Sequence, residues 1–154
     1  NTNVVPDRII FRVDRRMIPE EQPAEVESRL RQLIGDAKGH PGISIEIRRV
    51  LLAAPMRPVA GTERLARIVA GHAKETIGQQ IDICGVPLYA DGRHYAAQGI
   101  PTVMYGAGPR SLLEANAHRA DERVALNDLG KATKVIALSV AELLSHRTAS
   151  CSKR

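Results

Sequence analysis

The residues best suited to chemistry gather between positions 87 and 122. The segment reads Pro87-Leu88-Tyr89-Ala90-Asp91-Gly92-Arg93-His94-Tyr95, then an apolar run, then Gly106-Ala107-Gly108-Pro109, then Asn116-Ala117-His118-Arg119-Ala120-Asp121-Glu122. A neutral imidazole is a good zinc ligand, and a nearby carboxylate can fix its tautomer. His118 has Asp121 and Glu122 close by in sequence, so it reads either as a ligand or as a surface histidine in a polar loop. Gly106 and Gly108 either expose backbone N–H groups to a carboxylate or oxyanion, or form a tight turn. His94 reads as the outer face of a short helix, His72 as a core-edge residue, and His40 and His146 as solvated. Arg12, Asp14 and Arg16 share one polar face. They pair across strands with Glu46 and Arg48, or Arg16 clamps a substrate carboxylate. The chain has no HExxH, paired CxxC, Walker loop or Gly-x-Ser-x-Gly elbow.

The elements that must position these groups fall into two kinds. Residues 8 to 18 alternate, with Ile9, Phe11, Val13 and Met17 opposite Arg12, Asp14 and Arg16, which predicts a strand with one dry face. Val26, Leu30, Leu33 and Ile34 predict a helix with Pro23 in its first turn and Gly35 as its stop. Residues 43 to 52 alternate again. Two strands and one helix bury little apolar surface alone, so this unit reads as the second half of a two-layer α+β sandwich whose other half precedes Asn1. Ala54-Pro55-Met56-Arg57-Pro58 is a linker. Beyond it, Thr62 is the expected cap of a helix carrying Leu65, Ile68, Val69 and His72 and ending at Gly78. Asp91 is the expected cap of a short helix ending near Gly99. Ile100 to Tyr105 reads as a strand buried on both faces, and Leu129, Ala132, Ile136, Val140 and Leu143 as the buried stripe of a last helix capped by Asn127 or Asp128. This second part is α/β in character.

Composition narrows the function. With 44% hydrophobic and 25% charged residues, the 154-residue chain is expected to be globular. No apolar run reaches the ~20 residues of a bilayer span, and two cysteines impose no disulfide, so a cytoplasmic protein without membrane contact is expected. The formal charge of +5 invites a nucleic-acid partner, but the basic residues are scattered and aromatics are only 3%. Too few rings are present to stack bases, and a nucleic-acid partner is not expected. The chain opens on Asn-Thr-Asn-Val-Val without an initiator Met, as expected of a segment cut from something longer.

The order of the motifs is more specific than any one of them. Asn3-Val4-Val5-Pro6-Asp7 followed by Asp14-Arg15-Arg16-Met17-Ile18-Pro19-Glu20-Glu21 resembles the lid-domain stretch of the zinc metalloamidases typified by acetylornithine deacetylase, succinyl-diaminopimelate desuccinylase, aminoacylase and glutamate carboxypeptidase. Tyr89 to Tyr95 resembles that family's Thr-Asp-Ala-Arg segment, with Ala90 and Gly92 as departures. Gly99-Ile100-Pro101-Thr102-Val103 with Tyr105-Gly106-Ala107-Gly108, and Ala117-His118 with Asp121-Glu122-Arg123-Val124, are similar to its later motifs. The resemblance implies that residues 1–55 are the later half of a ferredoxin-like lid that pairs two subunits, and that 56–154 return to an α/β catalytic domain. It implies His118 as a metal ligand, Arg16 and Asn3 as lid residues near the substrate carboxylate, and Gly106 and Gly108 as lining of the substrate site. It further implies two zinc ions, for which cobalt or manganese can substitute, a homodimer, and an N-acylated amino acid or dipeptide as substrate. Metal would activate a water and polarise the scissile carbonyl. The remaining ligands and the general-base Glu belong upstream of Asn1, so the isolated segment is expected to be inactive. A non-catalytic dimerisation or regulatory module derived from the family is the alternative.

Overall fold

The computed structural model describes residues 7–39, 41–108 and 112–151. Its helices are α1 (Pro23–Asp36), α2 (Thr62–Ile77), α3 (Gly92–Ala97), α4 (Leu112–Ala115) and α5 (Leu126–Cys151). The backbone divides into two units. One takes in the chain up to Pro55 together with Val86–Tyr89, and the other takes in Met56–Gly85 and the chain from Ala90 onward.

In the first unit α1 begins where Pro23 suits a first turn, since its missing N–H has no intrahelical partner there. Ahead of it the chain turns at Ile18–Glu21: the Glu21 N–H donates to the Ile18 carbonyl (3.1 Å) and the Ile18 N–H donates to the Glu21 carboxylate (3.0 Å). That second bond, followed by the contact with Arg15, holds the Glu21 carboxyl below its ordinary range. Gly35 does not stop the helix; α1 runs on to Asp36, and Ala37 caps it with its N–H on Leu33. A glycine weakens a last turn without breaking it unless it adopts the left-handed conformation. Glu27 accepts from Arg31 Nε (2.9 Å) and Arg49 Nη1 (2.8 Å), tying α1 to the 43–52 stretch. These two guanidinium groups, Arg31 first, lower the Glu27 carboxyl.

The expected strands at 8–18, 43–52 and 100–105 are not formed among the described residues, where helices are the only regular elements. Alternation dictates which side chains share a face, but a strand exists only through a ladder with a neighbour ~4.8 Å away. No such ladder is formed by these segments among the described residues, and the faces read as dry stay open: Ile9 is 75% exposed, Phe11 71% and Leu51 70%.

The second unit is organised by α2 against α5. Gly61 enters α2 at φ 90° and Gly78 leaves it at φ 78°, with the Gly78 N–H on the Lys74 carbonyl at 2.8 Å. Both left-handed turns favour glycine. Thr62 opens the helix rather than capping it, and its Oγ1 accepts from the Val59 N–H (3.0 Å). The buried residues of these two helices are Ala66 and Ala73 on α2 and Ala132, Val135 and Ser139 on α5. Small side chains let two helix backbones approach, so the buried line on α5 runs through 132, 135 and 139. Of the expected stripe, Ala132 is buried and Leu143 half-buried, whereas Leu129 is 46% exposed, Ile136 47% and Val140 49%. Ser139 satisfies its hydroxyl on the Val135 carbonyl at 2.8 Å. Val135 is the largest side chain that is fully buried among the described residues. Val135→Ala should cost about 2 kcal/mol, from two lost methyl groups and the cavity left behind. Denaturant unfolding checks this as a lower midpoint at unchanged slope.

Pro101 and Thr102 lie against the starts of α2 and α3. A Cβ at Gly61 would come within 3.0 Å of Pro101 Cγ, and one at Gly92 within 3.0 Å of Met56 Sδ and 3.2 Å of Thr102 Cγ2. Asp91 precedes α3 as expected but makes no side-chain cap bond.

Candidate functional site

Arg16 belongs to the first unit. Its Nε and Nη2 meet Asp14 Oδ2 at 3.1 and 2.9 Å, and its guanidinium lies 5.2 Å from the centroid of the Tyr89 ring. A carboxylate and an aromatic face thus orient one arginine. Arg16 pairs with its near neighbour Asp14, not with Glu46 across a sheet. The guanidinium keeps donors beyond those engaged by Asp14. Sequence reasoning missed Tyr89, since nothing in a 73-position separation signals a ring contact. Asn3, the other lid candidate, lies outside the described residues, as does His40.

His118 sits in a loop of the second unit that Arg123 closes by donating its N–H to the Ala115 carbonyl (3.3 Å). Within the loop, Arg119 N–H donates to Asn116 (3.0 Å) and Glu122 N–H to Arg119 (3.2 Å), making two successive turns. Asn116 (φ 50°) and His118 (φ 66°) are the non-glycine residues with positive φ among those described. The Asn116 Nδ2 donates to Asp121 Oδ2 (2.7 Å), and the His118 backbone N–H donates to Glu122 Oε2 (3.0 Å). The imidazole is exposed. Asparagine tolerates this backbone region well, which is a signal legible in the sequence; the bond from His118 to Glu122 is not.

Gly106 and Gly108 carry no left-handed backbone, and a Cβ at either would meet nothing within 4 Å. The local fold therefore does not demand glycine at these positions. Tyr105 beside them has its phenol pushed above the ordinary range by burial. His94 is exposed, as expected of an outer face, and His72 is the core-edge residue expected: its Nε2 meets Glu142 Oε2 at 2.8 Å between α2 and α5. Two open grooves flank α2, one beside Lys74 and Ile81, the other beside His72 and Glu142. Neither contains Arg16, Gly106, Gly108 or His118.

A metal ion is tested by its donors. The loop presents one exposed imidazole, while one oxygen of Asp121 and one of Glu122 are engaged in holding the loop. Among the described residues no three of His, Cys, Asp and Glu gather as a metal site. A catalytic zinc normally takes ~3 protein ligands. The described residues thus fit one ligand of a metal centre and not the whole of it.

The model of peptidase family M20/M25/M40 matches residues 4–142, almost the full length. The chain belongs to this family. Members of peptidase family M20/M25/M40 are metallopeptidases and related hydrolases that generally bind zinc or other divalent metals, and the match supports a peptidase-like fold. It spans both units, from the polar stretch with Arg16 to α5. No curated protein and no solved structure matches the chain. None of the described helices is long and apolar enough to cross a membrane.

Proposed function

We propose that this chain is the later part of an M20-type amidohydrolase that cleaves the amide bond of an N-acyl amino acid or dipeptide, in the manner of a deacetylase, desuccinylase or aminoacylase. The observation that carries the reading is the family match over residues 4–142. The motif order gives the finer assignment. His118 serves as one ligand of a zinc centre, for which two ions are proposed. Arg16, oriented by Asp14 and Tyr89, hydrogen-bonds the substrate carboxylate, with Asn3 nearby. Gly106 and Gly108 let a substrate approach the backbone, which accounts for glycines that the local fold does not require. The open apolar faces at Ile9, Phe11 and Leu51 support the reading of the first unit as half of a ferredoxin-like lid, whose strands pair with its other half and whose surface joins a second subunit. The α/β catalytic domain is completed by residues upstream, which also supply the other ligands and the general base.

The test compares the 154-residue chain with the full-length protein for bound zinc and for hydrolysis of N-acetyl and N-succinyl amino acids. The full-length protein should bind about two zinc ions and hydrolyse such substrates; the chain alone should do neither, because one histidine falls short of the ~3 ligands required. Hydrolysis by the chain alone would overturn the placement of the machinery upstream. A full-length protein without metal or activity would make this a non-catalytic dimerisation or regulatory module instead.

A further inference from the structure

We infer that Glu122 is a positioning residue for His118, fixing the backbone from which the imidazole projects, and that it is not itself a metal ligand. The inference rests on the assignment of His118 proposed above. Residues 116–119 form a turn closed by the Arg119 N–H on the Asn116 carbonyl at 3.0 Å, with His118 at its third position and φ 66°. Positive φ at that position is the mark of a type II turn, where glycine is the preferred residue. A histidine placed there strains the backbone, and such strain persists only where surrounding contacts hold it. Two contacts do so: the His118 N–H donates to Glu122 Oε2 at 3.0 Å, and Asn116 Nδ2 donates to Asp121 Oδ2 at 2.7 Å. The first acts on the strained residue itself. It also engages one oxygen of the Glu122 carboxylate with the backbone, as Asn116 engages one oxygen of Asp121, so both acidic side chains of the loop serve its shape while the imidazole projects from it.

Two measurements test this. In the 154-residue chain, amide hydrogen exchange at His118 should become about tenfold faster in Glu122→Ala, the loss expected for one hydrogen bond. Amides of α2 and α5 in the same spectra should be unchanged, which separates local release from unfolding. Glu122→Gln, whose amide oxygen still accepts, should stay within about threefold of the parent. In the full-length enzyme, Glu122→Ala should weaken metal retention roughly 10- to 100-fold, as loss of an orienting partner does. Glu122→Gln should retain its metal. Parent-like exchange in Glu122→Ala overturns the inference, and so does loss of metal in Glu122→Gln equal to that in Glu122→Ala, which would mark a ligand. The comparison variant is His118→Ala. If it keeps its metal, the assignment of His118 falls and the positioning role falls with it. If it loses metal while Glu122→Ala behaves as the parent in both measurements, only the role of Glu122 falls.

Discussion

On the assignment proposed for His118, its replacement by alanine in the proposed full-length enzyme is expected to lower kcat/KM by at least about 100-fold and to release metal, since loss of a ligand should exceed the 10- to 100-fold typical of an orienting partner. Metal analysis of the purified variant, run beside the kinetics, checks both. His118→Gly sharpens the experiment. At φ 66° a side chain strains the backbone and glycine does not, so this variant should lose the same activity while its stability holds or rises by up to about 1 kcal/mol. Activity lost together with stability would instead mean that the imidazole supports the fold. Activity retained in both variants would remove His118 from the site.

Replacing Arg16 by alanine should lower kcat/KM roughly 10- to 150-fold for substrates with a free carboxylate, the range given by losing hydrogen bonds between charged groups. The deficit should vanish for the same substrates with that carboxylate esterified, because the clamp then has no anion to hold. Arg16→Lys should not restore activity: a lysine keeps the charge but neither the planar fork that meets Asp14 at 2.9 Å nor the stacking face that lies over Tyr89. An equal loss on free and esterified substrates would show that Arg16 supports the fold of the first unit rather than the substrate.

The helices were legible because their signals are local. Pro23, Thr62, Gly78 and Asp91 punctuate the chain within a residue or two of the observed ends of α1, α2 and α3. His72 and His94 likewise sit where helical periodicity puts them, one at the edge of a helix contact and one on an open face. Gly35 misled because composition alone does not tell a glycine in a last helical turn from one in a left-handed cap.

The strands show the opposite limit. The alternation at 8–18 and 43–52 predicts an apolar face and a polar one, yet among the described residues no ladder pairs these segments and both sets of side chains stay largely exposed. The buried line of α5 was misread for a related reason. Periodicity finds an apolar face several residues wide but not which part of it meets a neighbour; packing buries Val135 and Ser139 beside the expected Ala132 and leaves Leu129 and Ile136 open.

Family membership could be read from residue order alone, because motifs in sequence need no neighbours to be recognised. The rest depended on residues distant in the chain or on backbone torsions. Tyr89 comes under Arg16 only through folding, and the left-handed backbone of His118, with its N–H on Glu122, is invisible in a string of residue types. Side-chain identity sets what chemistry a position can do; which groups meet, and at what strain, is set by the backbone path that carries them together.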